Sequence, residues 1–296
     1  MSRKSIQRKR GDRKDGRWLK DLDGMHLIMP FLFPKRTESE VYLLEQVDAS
    51  NLVEYVNKKN MENPDRKTTA FHVFVAAIAK TLHFRPYLNR FIAGGRVYER
   101  FEETIAFMVK RKFEDHADEI IMVLKIRPDM TLDEISRRIT GDTKQARSES
   151  TGSDIDKMMK TVGHWPRFFN RFFFSLVRIA DYYGLMPDAV MNGDPDFSSV
   201  LVSNLGSIKC GAPYHHLNNY GTNSVMITIG EIHKAPVVNE KGEIEVRDVV
   251  DLGCTLDERI ADGFYFARSV KFIKHLIENP ELLELPIESE TDYEFK

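Results

Sequence analysis

Cysteine is scarce in this 296-residue sequence, which contains only Cys210 and Cys254. Two cysteines cannot build the disulfide framework of a small secreted domain, and neither belongs to a CxxC or histidine-rich ligand pattern. We therefore expect a reducing compartment and no metal site. The sequence also lacks both a run of about eighteen uncharged apolar residues and an apolar signal core after its basic start. These absences predict a cytoplasmic protein without a transmembrane segment.

A strong charge of one sign is also absent, because the formal net charge is -2. The protein as a whole therefore offers no attractive field to nucleic acid, and we expect no nucleic-acid partner. Apolar residues make up 42% of the sequence and include 19 Phe, which predicts a well-filled core. The length fits one large α/β domain.

Several nucleotide and protease motifs are missing from the sequence. It has no P-loop, no GxGxxG after a strand, no HExxH and no GxSxG. Their absence argues against nucleotide hydrolysis, Rossmann-type redox chemistry, zinc-dependent proteolysis and the nucleophile elbow of α/β hydrolases.

Predicted strands and helices alternate along the chain, which is typical of a layered α/β domain. Residues 68–82 predict a buried helix, residues 140–153 a polar surface connection, and residues 25–34 an irregular entry or edge strand because two prolines interrupt them. A helix over residues 259–279 ends the pattern. The remaining strands are predicted at 41–47, 105–109, 120–126, 200–203, 224–229 and 246–252.

The two ends of the chain differ from the middle in charge. Residues 1–20 carry nine Lys or Arg against two Asp, and predict a flexible basic arm. This arm is either a solvated extension, the interpretation we favour, or a tail that binds polyanions. Residues 21–284 form the predicted domain, and residues 285–296 form an acidic tail that we expect to be loose.

Residues 168–183 predict an aromatic amphipathic helix that also carries arginines and ends at Gly184. Such a helix can dock on a membrane surface or pack on its own domain. We expect it to pack on the core, because a sheet needs helices to cover it.

One polar cluster lies between the last predicted strand and the final helix, where residues 257–263 read Asp-Glu-Arg-Ile-Ala-Asp-Gly. This segment resembles the Asp-His-Arg-apolar-apolar-Asp-Gly motif of dihydrolipoyl acyltransferase catalytic domains, which chloramphenicol acetyltransferase shares in a looser form. The resemblance implies a two-layer α/β sandwich whose mixed sheet is covered by helices. It also implies a homotrimer with active sites between subunits.

The residue at the histidine position of this motif is Glu258, while Asp257, Arg259, Asp262 and Gly263 match. In the family, the histidine removes a proton from a thiol or hydroxyl. A carboxylate with an ordinary pKa near 4.3 costs on the order of 5 kcal/mol in that role, unless burial raises its pKa toward 7. Glu258 is therefore either a working base or a structural side chain. The resemblance assigns Asp262 and Arg259 to fixing the turn.

A second cluster, Ser203-Asn204-Leu205-Gly206, follows a predicted strand. It resembles the Ser-Ser/Asn-Leu-Gly segment in which the first serine hydroxyl donates a hydrogen bond to the tetrahedral oxyanion. The resemblance therefore assigns Ser203 to oxyanion stabilisation. Without it, a serine at the end of a strand is an ordinary turn former.

A third cluster is Tyr214-His215-His216. In chloramphenicol acetyltransferase the corresponding segment lines the acceptor pocket, so His215 or His216 could face the substrate and act as the base. Adjacent side chains on a strand point in opposite directions, so at most one of them would do so. The alternative is a structural or surface pair. Arg36 stands where the family has an arginine that pairs with the motif aspartate.

The resemblance extends over roughly residues 24–283, and we expect neither a lipoyl domain nor a covalent lipoyl group. It implies an acyltransferase that moves an acyl group between coenzyme A, or lipoamide, and a thiol, hydroxyl or amine acceptor. A non-catalytic binding or scaffold protein with the same fold is the main alternative. A third possibility is binding of anionic lipid or nucleic acid through the basic arm and the aromatic helix.

Overall fold

The computed structural model describes residues 8–110, 119–148, 161–239 and 241–295. The strands are β1 (Gly16–Trp18), β2 (Glu40–Asp48), β3 (Arg90–Ala93), β4 (Arg96–Arg100), β5 (Glu103–Lys110), β6 (Glu119–Ile126), β7 (Val200–Asn204), β8 (Val225–Ile229), β9 (His233–Val238) and β10 (Ile244–Asp257). The helices are α1 (Gly24–Leu32), α2 (Ser50–Glu62), α3 (Ala70–Phe84), α4 (Leu132–Ser148), α5 (Arg167–Tyr182), α6 (Asp188–Met191) and α7 (Gly263–Glu278).

Seven of these strands form one mixed sheet in the order β2-β10-β8-β7-β5-β6, and β9 extends it by pairing with the first half of β10. β5, β7 and β8 run parallel to one another, and the other pairs are antiparallel. The six strands predicted from residue 41 onward all fall within this sheet. β9 was not predicted, because Pro236 interrupts it and its side chains are largely exposed.

Helices α2, α3, α4 and α7 pack on one face of the sheet and enclose the main hydrophobic core. A two-layer α/β sandwich with a mixed sheet is therefore confirmed. On the opposite face, a smaller cluster forms where Leu217 packs on Ala106, Leu201 and Met226. None of these four helices covers this second face, which is called the open face from here on.

Helix α3 is the centre of the core. Thr69 caps its first turn, and every residue from His72 to Leu82 is buried. Apolar side chains surround the helix on all sides, as expected for a helix that packs between a sheet and other helices. The single lysine in this stretch, Lys80, donates a hydrogen bond to the carbonyl oxygen of Ser289 at 2.9 Å.

Two segments predicted as strand or loop are helical, so these predictions are wrong. Residues 25–34 form most of α1, because the Asp23 side chain caps the helix by accepting from the backbone N–H groups of Met25 and His26. Residues 140–148 continue α4, since lysine, glutamine and arginine favour helix without producing an apolar period. Residues 149–153 lie outside the described residues.

The basic arm differs from the expected free extension in the part that the structure describes. β1 pairs with β4 in a small sheet of order β1-β4-β3. Arg13 is buried, forms ion pairs with Asp15 and Asp181, and lies over the ring of Phe91. Residues 13–18 therefore belong to the fold. Residues 1–7 lie outside the described part of the chain.

The acidic tail also packs on the domain rather than remaining loose. Ile287 is buried, and its N–H donates to the carbonyl oxygen of Met130 at 2.9 Å. The rings of Tyr293 and Phe295 each lie 4.9 Å from the ring of Phe272. Aromatic burial outweighs the charge of the neighbouring acids here.

Helix α5 contradicts the expectation that it packs in the core, because it has no buried residue. Its amphipathic pattern correctly predicts a helix with an apolar face. The sheet face that it was expected to cover is already filled by α2, α3, α4 and α7. None of the helices in the described ranges is long and apolar enough to cross a membrane.

Candidate active site

A cleft of about 890 Å³ opens at the carboxyl ends of the parallel strands β5, β7 and β8. The first turn of α3 and the loops after β7 and β8 complete it. The lining is mostly apolar and carries a few polar groups, as ligand sites usually do. The lining residues that concern the chemistry are Phe71, His72, Ser203, Lys209, His215 and Glu231.

Ser203 lies near the end of β7 and lines this cleft. Its strand neighbour Val202 is buried in the main core, so the alternation of a strand turns Ser203 toward the open face. The side chain is half-buried. Its hydroxyl has no hydrogen-bond partner within the described part of the chain, and is therefore available to a ligand.

The turn after Ser203 depends on a close approach of two glycines. A Cβ at Gly206 would lie 2.4 Å from the carbonyl oxygen of Gly230, so a side chain cannot be accommodated there. The N–H of Leu205 donates to the carbonyl oxygen of Ile229 at 3.0 Å. This contact joins the ends of β7 and β8 and keeps Ser203 at the mouth of the cleft.

His215 is held over the open face by anchors on both sides. Before it, Thr228 donates through its hydroxyl to the carbonyl oxygen of Pro213 at 2.7 Å. A Cβ at Gly253 would lie 2.9 Å from the carbonyl oxygen of Ala212, so the absence of a side chain lets this segment approach the sheet. After it, Leu217 is buried in the smaller cluster.

The His215 ring lines the cleft together with Ser203. Its Nε2 atom is buried and has no hydrogen-bond partner among the residues described. A buried ring nitrogen without a partner is uncommon, because the missing hydrogen bond costs about 1–3 kcal/mol. His216 is exposed and does not line this cleft.

His72 is a cleft residue that the sequence analysis missed. Its Nδ1 lies 2.8 Å from the hydroxyl of Ser136 and accepts from the N–H of Thr69. Burial lowers the pKa of His72 to about 4, so the ring is neutral near pH 7. The available signal was the Thr69-x-x-His72 spacing, which places a polar ring on the first turn of a capped helix.

Glu258 lies away from this cleft in a single chain. Ser203 pairs in register with Thr228 near the end of β8, whereas Leu256, two residues before Glu258, pairs with Val225 at its beginning. At about 3.3 Å per residue, Glu258 and Ser203 are more than about 10 Å apart along the sheet. The Glu258 side chain has no hydrogen bond or ion pair in the described residues.

The turn that carries Glu258 is built on a buried ion pair. Arg259 donates from Nε and Nη2 to the two carboxylate oxygens of Asp257, at 2.8 and 2.7 Å. Ser39 donates to Asp257 through its hydroxyl at 3.1 Å and accepts the N–H of Glu258 at 3.0 Å. Two-point contact of a guanidinium with a carboxylate fixes orientation as well as distance. Glu258 is therefore presented from a rigid turn.

Asp262 and Arg259 both lie in the turn but do not pair with each other, and Arg36 does not pair with a motif aspartate. Arg259 pairs with Asp257, not with Asp262, which caps α7 by accepting the N–H of Tyr265 at 2.7 Å. Arg36 contacts no carboxylate of the described residues within hydrogen-bond distance, and donates instead to the carbonyl oxygens of Asn218 and Ile92. Burial lowers the pKa of Arg36, against the nearby charge of Asp257. The motif therefore contains an arginine–aspartate pair, but the pair is Arg259 with Asp257.

The described residues contain no group of three or more His, Cys, Asp or Glu side chains placed to hold a metal ion. Cys254 is buried, and burial raises the pKa of its thiol to about 12. Cys210 is exposed. The polar groups that line the cleft are therefore hydroxyls, imidazoles and the charged side chains of Lys209 and Glu231.

Comparison with known families matches residues 193–285 to the catalytic domain of 2-oxoacid dehydrogenase acyltransferases. A curated relative is the lipoamide acyltransferase component of the branched-chain alpha-keto acid dehydrogenase complex of Bacillus subtilis. It is 26% identical over 254 residues, which cover 83% of this chain and 49% of that protein. The chain thus spans about half the length of this relative.

Solved structures with this fold include a probable dihydrolipoamide acetyltransferase from Listeria monocytogenes, with a TM-score of 0.57, 20% identity and coverage of 95% of this chain and 99% of that one. The cubic core of the pyruvate dehydrogenase multienzyme complex matches with a TM-score of 0.59, 16% identity and coverage of 88% and 89%. A chloramphenicol acetyltransferase matches with a TM-score of 0.53, 12% identity and coverage of 88% and 99%.

The matched residues 193–285 include Ser203, His215 and Glu258. The chain therefore has the chloramphenicol acetyltransferase fold and resembles the catalytic domain of the 2-oxoacid dehydrogenase acyltransferases, with Glu258 in place of the histidine of its motif.

Proposed function

We propose that this chain is an acyltransferase that moves an acyl group between coenzyme A, or lipoamide, and a thiol, hydroxyl or amine acceptor. The observation that carries the proposal is that Ser203 and His215 line one cleft, each with a polar atom that has no partner within the described residues. The family match over residues 193–285 supports it. The scarcity of cysteine favours the cytoplasm as the place of the reaction.

In this proposal Ser203 stabilises the oxyanion of the tetrahedral intermediate. Its hydroxyl donates to the oxygen on which negative charge develops as the acceptor attacks the thioester carbonyl. The amino end of α3, which also lines the cleft, adds partial positive charge from unpaired N–H groups. An apolar wall, to which Phe71 and Met108 contribute, accommodates the acyl chain.

His215 is our first choice for the base that takes the proton of the acceptor. A neutral imidazole has an ordinary pKa near 6.5, so it accepts a proton near pH 7 more readily than a carboxylate does. The unpaired Nε2 is the atom that would receive it. His72 is a poorer base, because burial lowers its pKa to about 4.

Glu258 takes part only if a second subunit brings it to the Ser203 cleft. We propose a homotrimer, in which Glu258 of one subunit approaches the cleft of its neighbour. Exposed apolar side chains on the open face and its edge support self-association, since burying them is favourable. These residues are Tyr42, Leu44, Met108, Ile121 and Tyr214.

Thiol release from a panel of acyl-coenzyme A thioesters, with thiol, hydroxyl and amine acceptors, tests this function. Ser203→Ala is expected to lower kcat by about a hundredfold, the usual effect of losing one oxyanion donor. Ser207→Ala is the matched control, because Ser207 also lines the cleft but its hydroxyl already donates to the carbonyl oxygen of Asn204 at 2.9 Å. An unchanged rate in Ser203→Ala would remove this residue from the mechanism.

The base is identified by comparing three substitutions in the same assay. His215→Gln is expected to lower kcat by about a hundredfold or more, whereas His216→Gln, which changes an exposed neighbour, leaves it unaltered. Glu258→Gln distinguishes the alternatives. A small effect assigns the base to His215, and a large effect with normal His215→Gln activity assigns it to Glu258.

A non-catalytic binding protein with this fold is the second candidate. It is favoured by the separation of Glu258 from Ser203 within one chain, because the motif's base then has no place in the cleft. This candidate predicts that coenzyme A thioesters bind without thiol release. Calorimetric titration with a non-hydrolysable thioether analogue separates binding from turnover.

A further inference from the structure

Helix α5 exposes an unusual amount of aromatic surface for a helix that packs on a domain. Across its 16 residues none is buried, and Phe168 is 75% exposed. A monomeric protein rarely leaves so large a continuous apolar surface uncovered unless that surface binds something. Its exposed large apolar side chains are Phe168, Phe169, Phe172, Phe174, Leu176, Ile179 and Tyr182, and Trp165 precedes them.

At about 100° per residue, most residues of α5 fall into three sectors around the helix. One sector is half-buried, and it includes Phe173 and Val177. A second sector contains the exposed apolar residues Phe168, Phe172 and Leu176. The third holds the arginines Arg167, Arg171 and Arg178, which align within about 40° of one another.

The helix is fixed in this orientation by contacts at its carboxyl end. Asp181 pairs with Arg13 at 3.3 Å, and the carbonyl oxygen of the same residue accepts from Arg13 at 2.5 Å. The backbone of Tyr182 lies against Gly94, where a Cβ would approach its carbonyl oxygen to 2.5 Å. The exposed aromatic sector therefore belongs to a docked helix.

Helix α1 places a second exposed apolar surface close to this end of α5. The turn between β3 and β4 touches both helices, since Gly94 lies against Tyr182 and Gly95 lies against the ring of Phe31. On α1, Met25, Ile28, Phe31 and Leu32 are each more than half exposed. Both helices thus contact the turn between β3 and β4, and each carries exposed apolar side chains.

Charge identifies the occupant. Arg167, Arg171 and Arg178 have no acidic partner among the described residues, and the only acid of α5, Asp181, is already paired with Arg13. A second copy of this helix would therefore bring three arginines and no free carboxylate. The helix needs negative charge opposite its arginines and apolar surroundings for its aromatic rings. A membrane surface supplies the first in its anionic headgroups and the second in its acyl chains.

We infer that α5 is an interfacial helix that docks this protein on anionic membrane surfaces, with Phe168, Phe172 and Leu176 inserted at the headgroup boundary and the arginine row on the phosphates. This inference does not rest on the proposed acyl transfer, because none of these residues lines the cleft. The membrane would cover the exposed apolar sector of α5.

Vesicle flotation tests the inference with the full chain. Binding is expected to vesicles that mix phosphatidylcholine with phosphatidylglycerol, to be much weaker with phosphatidylcholine alone, and to fall as salt rises. Replacing all three arginines by Gln is expected to weaken binding on the order of a hundredfold. Replacing Phe168, Phe172 and Leu176 by Gln is expected to weaken it by more than about tenfold.

The matched control replaces exposed apolar residues elsewhere. Val238, Ile244 and Val246 on the β9–β10 hairpin are 67%, 76% and 69% exposed, and changing them to Gln is expected to leave binding unchanged. Circular dichroism checks that all variants fold. Equal binding to both vesicle types, equal loss in the control, or no binding would overturn the inference. So would concentration-dependent dimerisation that the Phe168, Phe172 and Leu176 changes abolish in the absence of lipid.

Discussion

Helices α3 and α5 have nearly the same length and are both rich in apolar and aromatic side chains, yet their environments are opposite. Every residue of α3 from His72 to Leu82 is buried, whereas α5 buries none. The difference lies in charge. α3 has a single lysine in its buried stretch, and that lysine reaches the carbonyl oxygen of Ser289, while α5 keeps three arginines together on one side.

This comparison shows what an apolar period can predict. A helix that is apolar all round must be enclosed, because no side of it can face water. A helix with one apolar face and one charged face needs a cover for the apolar face only, and the period does not identify the cover. The sheet is such a cover for α7, whereas α5 leaves its apolar face to solvent or to a partner.

The sharpest test of the comparison removes the same side chain from each helix. Leu82→Ala in α3, where Leu82 is fully buried, is expected to lower the free energy of unfolding by about 3–4 kcal/mol through lost burial and a cavity. Leu176→Ala in α5, where Leu176 is 48% exposed, is expected to change it by less than about 0.5 kcal/mol. Denaturant unfolding measures both. Equal losses would show that α5 is buried in solution.

A second test separates the docking of α5 from its exposed face. Gly94 has φ +57°, and a Cβ there would meet the carbonyl oxygen of Tyr182 at 2.5 Å. Gly94→Ala is therefore expected to lower the free energy of unfolding by about 2–3 kcal/mol, from the left-handed backbone and the displaced helix end. Gly141→Ala, at a helical position with open space, is the control. Protease sensitivity within α5 would rise only in the Gly94 variant.

The third test concerns the first turn of α3, where His72 is buried in its neutral form. Because folding lowers its pKa from 6.5 to about 4, the unfolded chain takes up a proton first as the pH falls. The stability that the neutral ring contributes is present above about pH 6.5 and is lost toward pH 4. Between pH 7 and pH 5 the titration of His72 should lower the free energy of unfolding by about 2 kcal/mol.

The measurement for this third test is the change in unfolding free energy between pH 7 and pH 5, compared between the unaltered protein and His72→Gln. The variant should lose about 2 kcal/mol less than the unaltered protein. His216→Gln, at an exposed position, should leave the pH dependence unchanged. A variant with the full acid loss would show that His72 is not the responsible group.

The sheet was largely predictable, because its strands are short apolar runs bounded by turns. The errors concern segments whose environment is unusual. Residues 25–34 predict an irregular entry or edge strand because Pro30 and Pro34 interrupt them, although the Asp23 cap starts a helix there. Residues 140–148 show no apolar period, although their lysine, glutamine and arginine favour helix. In both cases local capping and propensity decided the structure where burial did not.

The candidate site was predictable from motifs up to their mutual geometry. The Ser203 and His215 clusters lie at one cleft, but nothing in their spacing places Glu258 at the other end of β8. The ion-pair partner of Arg259 is Asp257, two residues earlier in the chain. Such pairings are set by backbone turns, which one sequence does not specify.

The position of β10 in the sheet has a consequence for folding. This strand lies between β2 and β8, and pairs Asp257 with Glu40, which comes 217 residues earlier in the chain. During synthesis β2 therefore stays without its partner strand β10, and its unpaired edges favour strand addition between molecules. Closing so long a loop is slow. The pairing of β10 with β2 therefore ends the stage of folding at which strand-mediated aggregation is most favoured.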